Sequence, residues 1–186
     1  MNLLRPLALL ILLLLPGCRR PDPADIFVAP GVPFRLCAPE AAPDFFVTQE
    51  VRFGLPGGRR ETLLATVENR AGALNLVAST PMGQTLFIVK VAGGAVAVDA
   101  RVPLPGRLDP RVLPALVQFA LWPVEAVRAN LRPGIRLEED GAKRTLLRND
   151  KVAWTVAREG AEPPYTHLFL EHPGLGLSLD IRTLEE

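Results

Sequence analysis

Asp109-Pro110-Arg111-Val112-Leu113-Pro114-Ala115-Leu116-Val117-Gln118-Phe119-Ala120-Leu121-Trp122-Pro123 interrupts a chain that otherwise alternates like β-strand. An acid followed by proline marks a helix start, because the first helical residue needs no N–H. Leu113, Leu116, Val117, Ala120 and Leu121 then recur at helical spacing. Val112, Ala115 and Phe119 make the remaining surface apolar too, so this helix needs cover on most sides. Pro114 delays the regular part beyond the first turn. Trp122-Pro123 ends the helix, and residues 123–131 start a second one with Val124, Val127 and Leu131 inward. Residues 109–131 therefore read as a helical hairpin, and the flanking segments must supply the surface that buries it.

Both flanks are β. Phe45–Phe53, Glu61–Glu68, Leu74–Thr80, Thr85–Val91 and Ala95–Ala100 form a predicted meander. In its third turn, Thr80-Pro81-Met82-Gly83-Gln84, proline occupies the first central position and glycine the left-handed bulge position. If Thr80 closes against Gln84, then Leu74, Leu76 and Ala78 share the inward face with Leu86 and Ile88, and a one-residue slip would invert that pairing. After the hairpin, Ile135–Glu138, Thr145–Arg148, Val152–Arg158, Thr166–Glu171 and Leu175–Thr183 are further short strands. The expected fold class is α+β. A strongly curved antiparallel sheet of about ten strands, a half-barrel, carries the helical hairpin on its concave face.

The first residues have a different character. Arg5, the leucine-rich run Leu7–Leu15 and Pro16-Gly17-Cys18 form a secretory signal over residues 1–17. The run is short of the about 20 residues that span a bilayer. Leu15-Pro16-Gly17-Cys18 resembles the bacterial lipobox, which makes Cys18 the lipid-attachment residue; an incidental cysteine behind an ordinary signal is the alternative. Residues 18–43, with Pro21, Pro23, Pro30, Pro33, Pro39 and Pro43, read as lipid anchor and tether. Residues 44–186 are the folded domain. With Cys18 acylated, Cys37 stands alone and is expected to be a packed, inert thiol.

Catalytic patterns are scarce. The formal net charge is +1, which gives no electrostatic footprint for nucleic acid. The basic residues are nearly all arginine, only Lys90, Lys143 and Lys151 being lysine, and no arginine-specific chemistry is read from this. Ser79 and Ser178 lie in predicted strands, outside any nucleophile elbow. His167 and His172 fall on opposite strand faces and read as surface residues, which is poor metal geometry. Glu138-Glu139-Asp140 and Glu185-Glu186 read as solvated charge. No catalytic residue, metal or cofactor is therefore expected, and the domain reads as a monomer that is not an enzyme. Leu74, Leu76, Leu86, Ile88, Leu116, Phe119, Trp122 and Trp154 either line an apolar cavity or pack as a dry core; both readings stand.

Leu76–Phe87, with its turn Pro81-Met82-Gly83-Gln84, is similar to a hairpin of the LolA/LolB lipoprotein-carrier family. Leu108-Asp109-Pro110, Gln118–Pro123 and Leu168–His172 resemble an uncharacterised bacterial lipoprotein family whose genes often neighbour aryl-polyene-type biosynthesis clusters. The resemblance spans roughly residues 44–184. It implies a LolA/LolB-like half-barrel that binds or transfers an acyl or polyene lipid, or lipoprotein cargo, at the periplasmic face of the outer membrane. Arg19 agrees with that address, and Met82 becomes the candidate residue of a protruding tip. The alternative is an envelope scaffold with a dry core that supports a lipid or polyene biosynthesis or export system.

Overall fold

A computed structural model describes residues 25–102 and 109–184. The expected signal over residues 1–17, the lipid site Cys18 and the tether as far as residue 24 lie outside the described residues. Strands β1 (Asp25–Ala29) and β2 (Val32–Arg35) form a separate hairpin. The main sheet holds β3 (Phe45–Gly54), β4 (Arg60–Arg70), β5 (Ala73–Ser79), β6 (Thr85–Ala92), β7 (Ala95–Ala100), β8 (Ile135–Asp140), β9 (Lys143–Arg148), β10 (Lys151–Glu159), β11 (His167–His172) and β12 (Leu177–Thr183). Between β7 and β8 lie helices α1 (Val112–Leu121) and α2 (Val124–Ala129).

The ten strands are all antiparallel in the order β7-β6-β5-β4-β3-β12-β11-β10-β9-β8. Each flank of the helices forms its own five-strand meander, and β3 pairs with β12 at the seam. The α+β half-barrel expected from the sequence is the architecture observed. Its inner face carries Val47, Val51, Val67, Leu74, Leu76, Val156, Leu168, Leu170 and Leu179, all buried with α1 against them.

Prolines set the helix boundaries. Pro114 falls in the first turn of α1, where no intrahelical N–H is needed, so the helix runs through it. Trp122 is extended (ψ 153°) because Pro123 follows, and α2 starts directly after that proline. At the carboxyl end of α1, Arg144 Nη1 donates to Phe119 O (2.9 Å) and Trp122 O (2.7 Å). Arg144 also pairs with Glu139, which in turn meets Arg158 at 3.3 Å. Glu139 is therefore not simply solvated charge, and the arginines matter chemically after all. A guanidinium can satisfy several carbonyls and a carboxylate at once, and both arginines are buried.

The tether expectation is corrected from Asp25 onward. Val28, Val32, Phe34 and Cys37 are buried, Trp154 Nε1 donates to Val28 O (2.8 Å), and Phe34 bridges to Leu131. The alternation of Val32 and Phe34 was masked by prolines. Pro30 sits in the hairpin turn and Pro33 in a short edge strand, where a missing N–H is tolerated. The folded unit thus begins before residue 44.

The β5–β6 pairing is the second correction. The turn closes as read: Gly83 N donates to Thr80 O and Thr80 N to Gln84 O, both at 2.9 Å. A bulge between Ala78 and Ser79 then adds Leu86 as an extra residue, so Ala78 faces Phe87 and Leu76 faces Val89. Phe87, Val89 and Val91 are the buried set; Leu86, the extra residue, is partly buried and still packs against the core, whereas Ile88 points to the opposite face.

Candidate functional site

Where the amino-terminal hairpin meets the sheet, a cleft of about 1370 Å³ opens. One wall is β1 and the segment Arg35–Glu40; the other includes Phe53–Leu55 at the end of β3 and Leu177–Leu179 of β12. The start of α1, from Asp109 to Leu116, and the β6–β7 turn Gly93-Gly94 complete it. Those two glycines hold positive φ (55° and 76°), which suits the tight hairpin connection. Trp154 supports the wall from behind, its ring edge-on to His172 with centroids 5.2 Å apart.

A second space of about 70 Å³ lies directly under α1, between Val51, Leu63, Leu76, Leu170 and the helix residues Val117 and Ala120. It is enough for about two water volumes, so the helix sits on a nearly filled core. Phe53, Leu113, Leu116 and Leu179 line both spaces and form the wall they share. The volume available to a ligand is thus beside the amino-terminal half of α1, and a second, small apolar space lies beneath the helix.

Rim charges are engaged locally. Asp25 pairs with Arg132 at 2.8 Å. Asp109 takes a two-pronged contact from the Arg111 side chain (2.7 and 3.0 Å) and a bond from Arg111 N (3.0 Å). The Arg111 hydrogen bonds hold the Asp109 carboxyl below its ordinary pKa. Cys37 is a buried free thiol whose Sγ lies 3.4 Å from Ala126 O, and burial pushes its pKa up to about 11. That is the packed thiol expected, not a nucleophile. Among the described residues, no group of three or more His, Cys, Asp or Glu is placed to hold a metal ion.

The expected cavity residues divide. Leu116 and Trp154 line the cleft, and Leu76 and Leu116 line the space under α1. Leu74, Phe119 and Trp122 are buried in solid core, Trp122 edge-on to Phe45 (6.1 Å) and donating to Ala38 O (3.2 Å). Ile88 lies on the other face of the sheet, and Leu86 packs against the core without lining either space. The tip Pro81-Met82-Gly83-Gln84 is exposed, Met82 at 95 %, and lines neither space. His167 is partly exposed and meets Asp180 (2.9 Å). His172 is a correction, because it is buried: Leu175 N donates to its Nδ1 (3.1 Å), and burial pushes its pKa down.

Two structural polar residues were missed in the sequence. Gln118, fully buried, accepts from Cys37 N (2.7 Å) and donates to Cys37 O (2.9 Å), clamping the cleft wall to α1. Asn69 donates from Nδ2 to Pro39 O (3.1 Å) and Pro43 O (2.9 Å), holding the same segment from the sheet side. A lone amide in an otherwise apolar helix was the available signal for Gln118.

A family model described as "Protein of unknown function (DUF3261)" matches residues 47–185. The chain belongs to the DUF3261 family. The match starts inside β3, so the hairpin wall of the cleft lies before the matched span. No curated protein matches the chain. Among solved structures, a LolA superfamily protein from Nitrosomonas europaea is similar at 13% identity and TM-score 0.43, covering 80% of this chain and 88% of its own.

Proposed function

We propose that this DUF3261 protein is a non-catalytic lipoprotein that holds an apolar, acyl-type ligand in the cleft. The observation that carries this reading is the cleft itself. At about 1370 Å³ it exceeds the about 300–1,000 Å³ usual for compact small ligands, and Ile26, Phe27, Leu36, Phe53, Leu113 and Leu116 give it apolar walls. A long flexible chain fits that shape better than a rigid polar substrate. Rim acids paired with arginines, and a thiol held protonated by burial, offer little for bond making or breaking. Cys18 supplies the lipid anchor in this reading, and the outer membrane, facing the periplasm, is the proposed address. The cargo is an acyl or polyene lipid, or the acyl end of a lipoprotein.

Native mass spectrometry of the chain lacking residues 1–18, presented with long-chain acyl lipids, tests the binding. Stoichiometric adducts are expected, and a chain that takes up none overturns the carrier reading. Replacement of Cys18 by serine is expected to release the protein from the membrane fraction. The nearly filled space under α1 favours one other reading, a scaffold for a lipid or polyene biosynthesis or export system that works through its surface. Failure of uptake together with retained partner capture would select it.

A further inference from the structure

The described chain begins on the rim of the cleft. Asp25 is one of its lining residues and pairs with Arg132. Cys18 is seven residues earlier, a contour of at most about 25 Å. A chain of this size has a diameter of about 40 Å, so such a link cannot bring the far side of the domain to the anchor. The part of the surface nearest the acylated cysteine is therefore the cleft rim.

Two large apolar side chains of that rim meet solvent. Phe27 is 46 % exposed and Leu175 is 42 % exposed, and both line the cleft. A chain of contacts links them around the rim. Phe27 adjoins Val28, whose carbonyl accepts from Trp154; Trp154 packs edge-on against His172; and His172 Nδ1 accepts from Leu175 N. Exposed apolar side chains on a braced support, held within a short leash of a bilayer, are suited to enter its headgroup layer.

We propose that the Phe27–Leu175 lip is a membrane-docking surface, seated on the bilayer that holds the Cys18-linked lipid, so that the cleft opens onto that bilayer. This rests on acylation of Cys18 and goes beyond ligand binding by fixing which way the cleft faces. A ligand could then pass between bilayer and cleft without crossing water.

The test uses the full-length protein reconstituted in vesicles of phosphatidylethanolamine and phosphatidylglycerol. Leu175→Cys or Met82→Cys carries an environment-sensitive fluorophore; the native Cys37 is buried and its thiol protonated, which keeps labelling selective. Spin-labelled phospholipid is expected to quench the Leu175→Cys probe several-fold more than the Met82→Cys probe, and Phe27→Ser to reduce that quenching. Equal, weak quenching at both sites overturns the proposal. A blue-shifted Leu175→Cys probe that bilayer spin labels leave bright overturns it too. That result puts the protein's own acyl groups or, if it depends on protein density, a second copy in the cleft. Mass measurement separates the premises: an unacylated mature chain overturns the anchor and the docking together, whereas an acylated chain with a water-exposed lip overturns the docking alone.

Discussion

Replacing Gln118 by leucine isolates the clamp between α1 and the cleft wall. Leucine keeps nearly the same volume, so water has little room to replace the amide. The change strips Cys37 of two buried hydrogen bonds, from its N–H (2.7 Å) and to its carbonyl (2.9 Å). An orphaned buried polar group costs about 1–3 kcal/mol, giving about 2–6 kcal/mol for the pair. The gain from burying an apolar side chain offsets about 1–2 kcal/mol of this. Taking the middle of each range, the expected net loss is about 2.5 kcal/mol, or a fall in Tm of roughly 5–10 °C for a chain of this length. Urea unfolding followed by the fluorescence of the buried Trp122 and Trp154 measures it. Gln118→Glu supplies the check on mechanism. Protonated, its carboxyl can reproduce both bonds; ionised, it opposes the Cys37 carbonyl. The folded-state pKa of this new acid is then raised, so its contribution is present at low pH and lost as pH rises. A leucine variant within about 1 kcal/mol of the parent, or a glutamate variant indifferent to pH, would refute the clamp.

Three further outcomes are expected. Leu113→Arg, in the wall shared by the cleft and the space under α1, should abolish titration by a fluorescent fatty acid while circular dichroism and Tm change little, since Leu113 is only half-buried. Arg144→Met should cost about 3–5 kcal/mol in urea unfolding by leaving Glu139 and the α1 carbonyls with fewer partners, and Arg144→Lys should recover only part of it. On acidification, stability should fall in two stages. Burial lowers the His172 pKa below the ordinary 6.5, so its contribution is full above that value and lost beneath it. Burial raises the Glu139 carboxyl, but Arg144 and Arg158 outweigh it and leave the pKa below 4.5, so a second loss begins under that pH. Glu139→Gln should remove the second stage in a pH series of urea midpoints.

What was legible in the sequence followed from period and punctuation. The two β flanks and the helical interruption at 109–131 were readable because alternation, helical spacing and Pro123 all agree there. The amino-terminal hairpin was not, because Pro30 and Pro33 look like linker residues until a partner strand shows that one is a turn and the other an edge. The inward face of β6 was lost to a single extra residue, since a bulge reverses every side chain beyond it while leaving composition untouched. The site suffered most from that reversal: Ile88 left the interior, Leu86 became the unpaired residue at its edge, and Phe87 and Val89 entered it. Gln118, Asn69 and Glu139 act through partners distant in sequence, and such pairings follow no local pattern. The cleft is built partly from a segment read as tether, so its position could not be anticipated.

The seam between β3 and β12 ties the two wings together across 134 residues, as in the Gln49–Thr183 contact. Each wing can pair locally as it emerges, but the first meander keeps a bare edge until the final strand arrives. Closure therefore waits for β12. A chain emerging amino end first from a narrow pore would remain open and threadable until β12 was through, then lock in a single late step.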